Sequence, residues 1–150
     1  MFDAKEIYEL GSAFLNSGEA SFFEGNLAYI NIYQKIAGVM NLTFACELYI
    51  RCLLNMAGSE PLVDKMDGLW WEYKSVRSDD AAKIEASVMD RLHTHFTFDE
   101  MLRDNSNAFY IYRYTFDPNQ LAEIRKKPLR AKFLRVFAFD LYRILRERLA

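Results

Sequence analysis

The segment NLTFACELYIRCLLNMAG, residues 41–58, decides how the chain is read. Its apolar residues fall on nearly every side of a helix. Thr43, Glu47, Arg51 and Asn55 recur every four residues and draw one polar stripe through them. Glu47 stands one turn before Arg51, the order that favours an intrahelical pair. A helix this apolar belongs at the centre of a bundle. Its stripe then faces either solvent along a seam, where each pair contributes a few tenths of a kcal/mol, or the wall of a polar cleft. The apolar pattern reaches back to about Glu24, with Gly38 placed to bend it and Gly58 placed to close it.

Working outward, the same helical spacing recurs. Asp3 is placed to cap a first helix through Ile7, Leu10, Phe14 and Leu15, expected to stop near Asn16-Ser17-Gly18. Pro61 opens a third segment in which Leu62, Met66, Leu69, Trp70, Tyr73 and Val76 share a side. Asp79 or Asp80 is expected to cap a fourth through Ile84, Val88 and Leu92; a fifth apolar stretch runs from Phe98 to Phe116, and Pro118 breaks it. A short turn over 120–126 and a last helix through Leu129, Phe133, Phe137, Leu141 and Leu145 complete the chain. No sustained two-residue alternation appears, so the fold is expected to be all-α, a single domain over residues 1–150 with Phe44, Leu48, Leu53, Phe109, Phe137 and Leu141 in its core. Of the neighbours Trp70 and Trp71, about 100° apart on a helix, one should enter the core and the other reach the surface, where an exposed indole points to a protein interface.

Half of the residues are hydrophobic and 15% are aromatic, a composition that excludes a disordered tail. The longest uncharged run, Ile36 to Cys46, falls short of a bilayer and the first residues do not read as a signal peptide, so the expected setting is the cytoplasm, without a membrane. Cys46 and Cys52 are six residues apart on one helix and should be free thiols. Charge is uneven. Residues 124–150 hold nine Lys or Arg and two acids (+7), whereas the rest holds ten bases and nineteen acids (−9). Arg125, Lys126, Lys127, Arg130 and Lys132 cluster around Pro128, where they can neutralise an RNA phosphate backbone or an acidic face of the same protein.

Both histidines lie in RLHTH, residues 91–95. His93 and His95 can chelate zinc from an extended segment but point about 200° apart on a helix, so a metal site requires the helix to end before them. Thr97 and Glu100 form a capping-box pattern that would leave them in a connector, where ordinary helix-end histidines are the expected reading. No glycine-rich phosphate loop, nucleophile elbow or cofactor fingerprint occurs, and no cofactor is expected.

The run Ala45-Cys46-Glu47-Leu48-Tyr49-Ile50-Arg51-Cys52-Leu53-Leu54 resembles the A-x-E-L-x-L-K-A-L-L helix of HEPN domains, the higher eukaryotes and prokaryotes nucleotide-binding family. Val63-Asp64-Lys65-Met66-Asp67-Gly68-Leu69 stands where that family has Gly-His-Asp-Leu, keeping an acid and the leucine without the histidine. Asn107 to Tyr114 is similar to the F-x-x-x-R-Y segment of bacterial HEPN-like proteins. The resemblance implies a four- or five-helix bundle, often a homodimer, acting as an RNase, a toxin or abortive-infection component, or an inactive relative that binds nucleotide or RNA. Catalytic members carry Arg, four to six residues, then His. Here Arg113 is followed at those distances by Pro118, Asn119 and Gln120, and an amide is no general base near neutral pH. Arg91 reaches His95 across only three residues. The expected function is therefore a non-catalytic HEPN-like bundle that dimerises and binds a protein or RNA partner in bacterial stress, toxin-antitoxin or phage-defence biology. The alternatives are a divergent metal-independent ribonuclease using Arg113 with Glu47, Asn119 or a histidine brought in by folding, including across a dimer, and a structural or regulatory helical adaptor. Arg113 in an architectural role should pair with Asp117 or Glu47.

Overall fold

A computed structural model describes residues 3–23, 32–114 and 131–150, apart from the side chains at 22, 23, 32, 33 and 108–114. Among these the fold is all-α, with no strand: α1 (Ala4–Phe23), α2 (Ile32–Met56), α3 (Met66–Val76), α4 (Ser78–Leu92), α5 (Phe98–Tyr114) and α6 (Ala131–Arg148). Six described helices exceed the four or five implied by the family resemblance. The reason is local: Arg77, at φ −140° and ψ 63°, separates α3 from α4, and each of these short helices buries its own stripe.

α2 is the central element, touched by α1, α3, α5 and α6. Gln34–Met56 is long and apolar enough to cross a membrane by length and composition, a feature the uncharged-run reading missed; 56% of its most apolar window is buried inside this fold. Its C-terminus closes as the sequence leads one to expect. Gly58 takes φ +75°, its N–H donates to the Asn55 carbonyl at 3.0 Å, and the Ser59 N–H donates to the Leu54 carbonyl at 2.9 Å, a Schellman closure.

α1 runs antiparallel to α2, and its glycines set the approach. A Cβ on Gly11 would lie 2.8 Å from Tyr49 Cε1, and one on Gly18 would lie 2.9 Å from Leu42 Cγ and 3.1 Å from the Leu42 backbone nitrogen. Both pairs are seven residues apart on their own helices, so one face of α1 repeats the contact two turns on. This corrects the expected helix end near Gly18: the glycine is a packing position, and α1 continues to Phe23. The face lying on α2 is Gly11, Leu15 and Gly18, so Leu10 is left exposed although it belonged to the expected stripe. The start of α1 is capped reciprocally, with the Asp3 N–H donating to Glu6 Oε2 and the Glu6 N–H to Asp3 Oδ1, both at 2.8 Å.

On its other side α2 meets an aromatic core. Trp70 of α3, Phe98 of α5 and Phe133 and Phe137 of α6 pack with ring centroids 5.2–5.8 Å apart, several edge to face, the geometry that ring quadrupoles favour. Leu53, Phe137 and Leu141 are buried as expected; Phe44 and Leu48 are only half-buried, at the edge of the α1 contact, and the Phe109 side chain lies outside the described residues. Cys46 and Cys52 are buried and free. α3 starts at Met66, five residues beyond Pro61, so Leu62 is 92% exposed and Val76, at the far end, is exposed as well.

The glycine contacts make a direct prediction. Gly18→Ala gains about 1 kcal/mol of helix propensity but forces a methyl onto a fully buried Leu42 and its backbone, which overpacking costs outweigh. Urea unfolding should show a net loss of about 1–2 kcal/mol, and an equally stable or more stable variant would contradict the close approach.

Candidate functional site

The residues singled out from sequence separate into those that hold the bundle together and those left at its surface. α6 carries most of the former. Asp140 is fully buried, yet it faces α4. Its Oδ1 lies 2.6 Å from Arg91 Nη1 and 3.3 Å from Arg143 Nη2, and its Oδ2 accepts from Ser87 Oγ at 3.0 Å. A buried carboxylate needs such partners, and here it has three. Arg91, which sequence placed one residue short of the catalytic spacing to His95, is therefore committed to α6. Arg148 holds Asp80 bidentately at 2.6 and 3.0 Å, with the Tyr73 hydroxyl on the same carboxylate. The arginine, then the tyrosine, hold the Asp80 carboxyl below the usual carboxylate range despite partial burial. Burial and Asp80 push the Tyr73 phenol up to about 12. Asp80 is thus no cap for α4, whose N-cap residue, Arg77, makes no side-chain capping bond.

The histidines sit where the helix ends. α4 stops at Leu92, and His93 closes it in the left-handed region at φ 47°, ψ 49°. The Thr97–Glu100 capping box forms at 3.0 and 3.1 Å. His93 and His95 are both exposed, with His95 stacked on Phe96 at 4.6 Å. Among the described residues no group of three or more His, Cys, Asp or Glu is arranged to hold a metal ion.

The polar stripe of α2 does not form one wall. Thr43 is buried and donates to the Val39 carbonyl at 2.8 Å, Glu47 is half-buried, and Arg51 reaches Asp64 of the 57–65 connector at 3.0 Å, not Glu47 one turn earlier. Arg113 lies on α5, but its side chain is outside the described set, as are Asp117, Asn119, Arg125, Lys126, Lys127 and Arg130. Lys132 is exposed on the first turn of α6. Part of the basic excess of α6 is answered by acids of the same fold: Arg135 grips Glu19 of α1 through two hydrogen bonds of 3.0 and 3.1 Å, beside the Arg143–Asp140 and Arg148–Asp80 pairs. Trp70 is fully buried and Trp71 is 39% exposed with the Arg103 guanidinium 5.2 Å above its ring, the division that their 100° offset implies.

The feature sequence reasoning missed is a groove between α1 and α6 of about 580 Å³, lined by Tyr8, Glu9, Ser12, Asn16, Phe139 and Tyr142, with Glu19 at one end. Tyr8 stacks on Tyr142 at 5.8 Å and tilts against Tyr49 at 6.0 Å, and Ser12 shares a 2.8 Å hydrogen bond with the Tyr49 hydroxyl. Phe139, two residues from both Phe137 and Leu141 and so about 200° round α6 from that buried stripe, is 51% exposed over this groove. Its position off that stripe, together with the recurrence of Tyr8, Ser12, Asn16 and Glu19 at helical spacing, was the available signal. Burial raises the Tyr49 phenol well above its ordinary value; burial, then the Tyr142 phenol, raise Tyr8. The Tyr8 and Tyr49 hydroxyls, raised in this way, are available as hydrogen-bonding groups.

Comparison of the chain with protein-family models, with curated proteins and with solved structures returns no match.

The raised phenol has a sign that can be measured. A group whose folded pKa exceeds its unfolded value contributes stability that is complete below about pH 10 for tyrosine and is lost as pH rises toward the folded value. Tyr49→Phe should cost about 1 kcal/mol at neutral pH through the Ser12 bond. It should also flatten the fall of stability above about pH 10, and an alkaline limb as steep as that of the parent protein would contradict the burial of this phenol.

Proposed function

We propose that the chain is a HEPN-like helical bundle that works by binding, as a cytoplasmic homodimer engaging a protein or RNA partner in bacterial stress, toxin-antitoxin or phage-defence biology, and not by cleaving RNA. The HEPN assignment and its setting rest on the resemblance of residues 45–54, 63–69 and 107–114. The observation that carries the non-catalytic reading is the Arg91–Asp140 pair. The arginine nearest the two histidines neutralises a buried carboxylate. Releasing it toward a phosphate would leave that buried carboxylate with Arg143 and Ser87 alone, at a cost in stability. The binding half is supported by the tyrosines and exposed Phe139 of the α1–α6 groove and by the exposed Trp71, since aromatic side chains are enriched on recognition surfaces.

Equilibrium sedimentation at micromolar concentration should report a dimer, and purified protein should leave single-stranded RNA intact in the presence of a metal chelator. A strict monomer removes the dimeric part of the reading. Cleavage that persists through purification and vanishes in Arg113→Ala, with circular dichroism unchanged, replaces the binding function with a divergent ribonuclease.

A further inference from the structure

We infer that the α1–α6 groove is a docking site for an arginine-bearing segment of a partner protein. The inference rests on the binding function proposed above and names the chemistry of its partner.

Along α1 the groove runs from Tyr8 to Glu19, about 16 Å by helical rise, the reach of about five extended residues. Its volume falls within the range of sites that enclose a side chain and its flanks. One wall is aromatic: Phe139 and Tyr142 lie 6.2 Å apart by ring centroid, and Tyr142 stacks on Tyr8. The other wall is polar and acidic, with Glu9 and Asn16 exposed and Glu19 at the end. Glu19 is neutralised by Arg135, whereas Glu9 makes no ion pair among the described residues. The unpaired negative charge of the groove is therefore that of Glu9, in the same lining as Phe139.

That combination selects by charge and by shape. A planar guanidinium can lie on an aromatic face while its edge hydrogen-bonds a carboxylate and an amide. The Trp71–Arg103 contact elsewhere on this surface shows the same stacking within the chain. A nucleic-acid strand could stack on Phe139, but its phosphates would meet Glu9, and among the described residues that line the groove none is a cation.

The test uses full-length protein and a fluorescein-labelled Gly-Arg-Gly-Arg-Gly peptide, read by fluorescence anisotropy, with a citrulline version of the peptide and a pentauridylate as competitors. Binding of the arginine peptide is expected to weaken about tenfold in Phe139→Ala and several-fold in Glu9→Gln, while Glu60→Gln, an exposed acid outside the groove, leaves it unchanged. Neither competitor should displace the peptide. No measurable binding, equal weakening by Glu9→Gln and Glu60→Gln with none by Phe139→Ala, or displacement by either competitor would each overturn the inference. Those results leave the sedimentation and RNA-cleavage outcomes untouched, so this inference can fail while the binding function stands.

Discussion

A carboxylate buried without exposure constrains everything around it, and in this fold Asp140 holds that position. It sits in the middle of α6, where its oxygens are met by Arg91 and Ser87 from α4 and by Arg143 from one turn later on α6 itself. The pairing fixes how α6 is rotated about its axis. With Asp140 toward α4, Phe133, Phe137 and Leu141 face the aromatic core, and Phe139 and Tyr142 face α1. Arg148 and Asp80 repeat the α4–α6 tie two turns on, and Arg135 and Glu19 tie the start of α6 to α1. The last helix is therefore held by ion pairs along two seams and by ring packing between them.

The same rotation links architecture to function. An arginine near two histidines invites a phosphate-cleaving reading, but a guanidinium that neutralises a core carboxylate costs stability to redirect. Among the described residues, α1 and α6 leave aromatic and amide side chains over a groove lined by Tyr8, Asn16, Phe139 and Tyr142. The groove exists because α1 lies so close on α2. Gly11 and Gly18 bring its backbone against Tyr49 and Leu42, and the adjoining side of α1 meets α6 through Tyr8 on Tyr142 and Glu19 on Arg135.

Local features were legible in the sequence because their causes are local. The buried stripe Ile84–Val88–Leu92, the Thr97–Glu100 box, the Gly58 closure and the division between Trp70 and Trp71 all follow from spacing within a turn or two. The misreadings share the opposite cause. Asp80 has the composition of a cap, and Tyr73 together with Arg148, 68 residues later, holds its carboxylate instead. Gly18 has the composition of a stop, and only Leu42 on the neighbouring helix makes it a contact. Arg51 has a partner one turn away in Glu47 and pairs instead with Asp64, beyond the end of its own helix. The groove was invisible for the same reason, since Tyr8 and Tyr142 meet only after α6 has been oriented by Asp140.

The central claim, that Arg91 is an architectural residue whose partner sets the orientation of α6, is most directly tested by a double-mutant cycle. Urea unfolding of Arg91→Met, Asp140→Asn and the double variant gives the coupling between the two side chains free of their separate effects. A coupling of about 2 kcal/mol or more is the predicted result. A coupling within about 0.5 kcal/mol of zero would mean that Asp140 does not depend on Arg91, leaving that arginine free for other chemistry and contradicting the account.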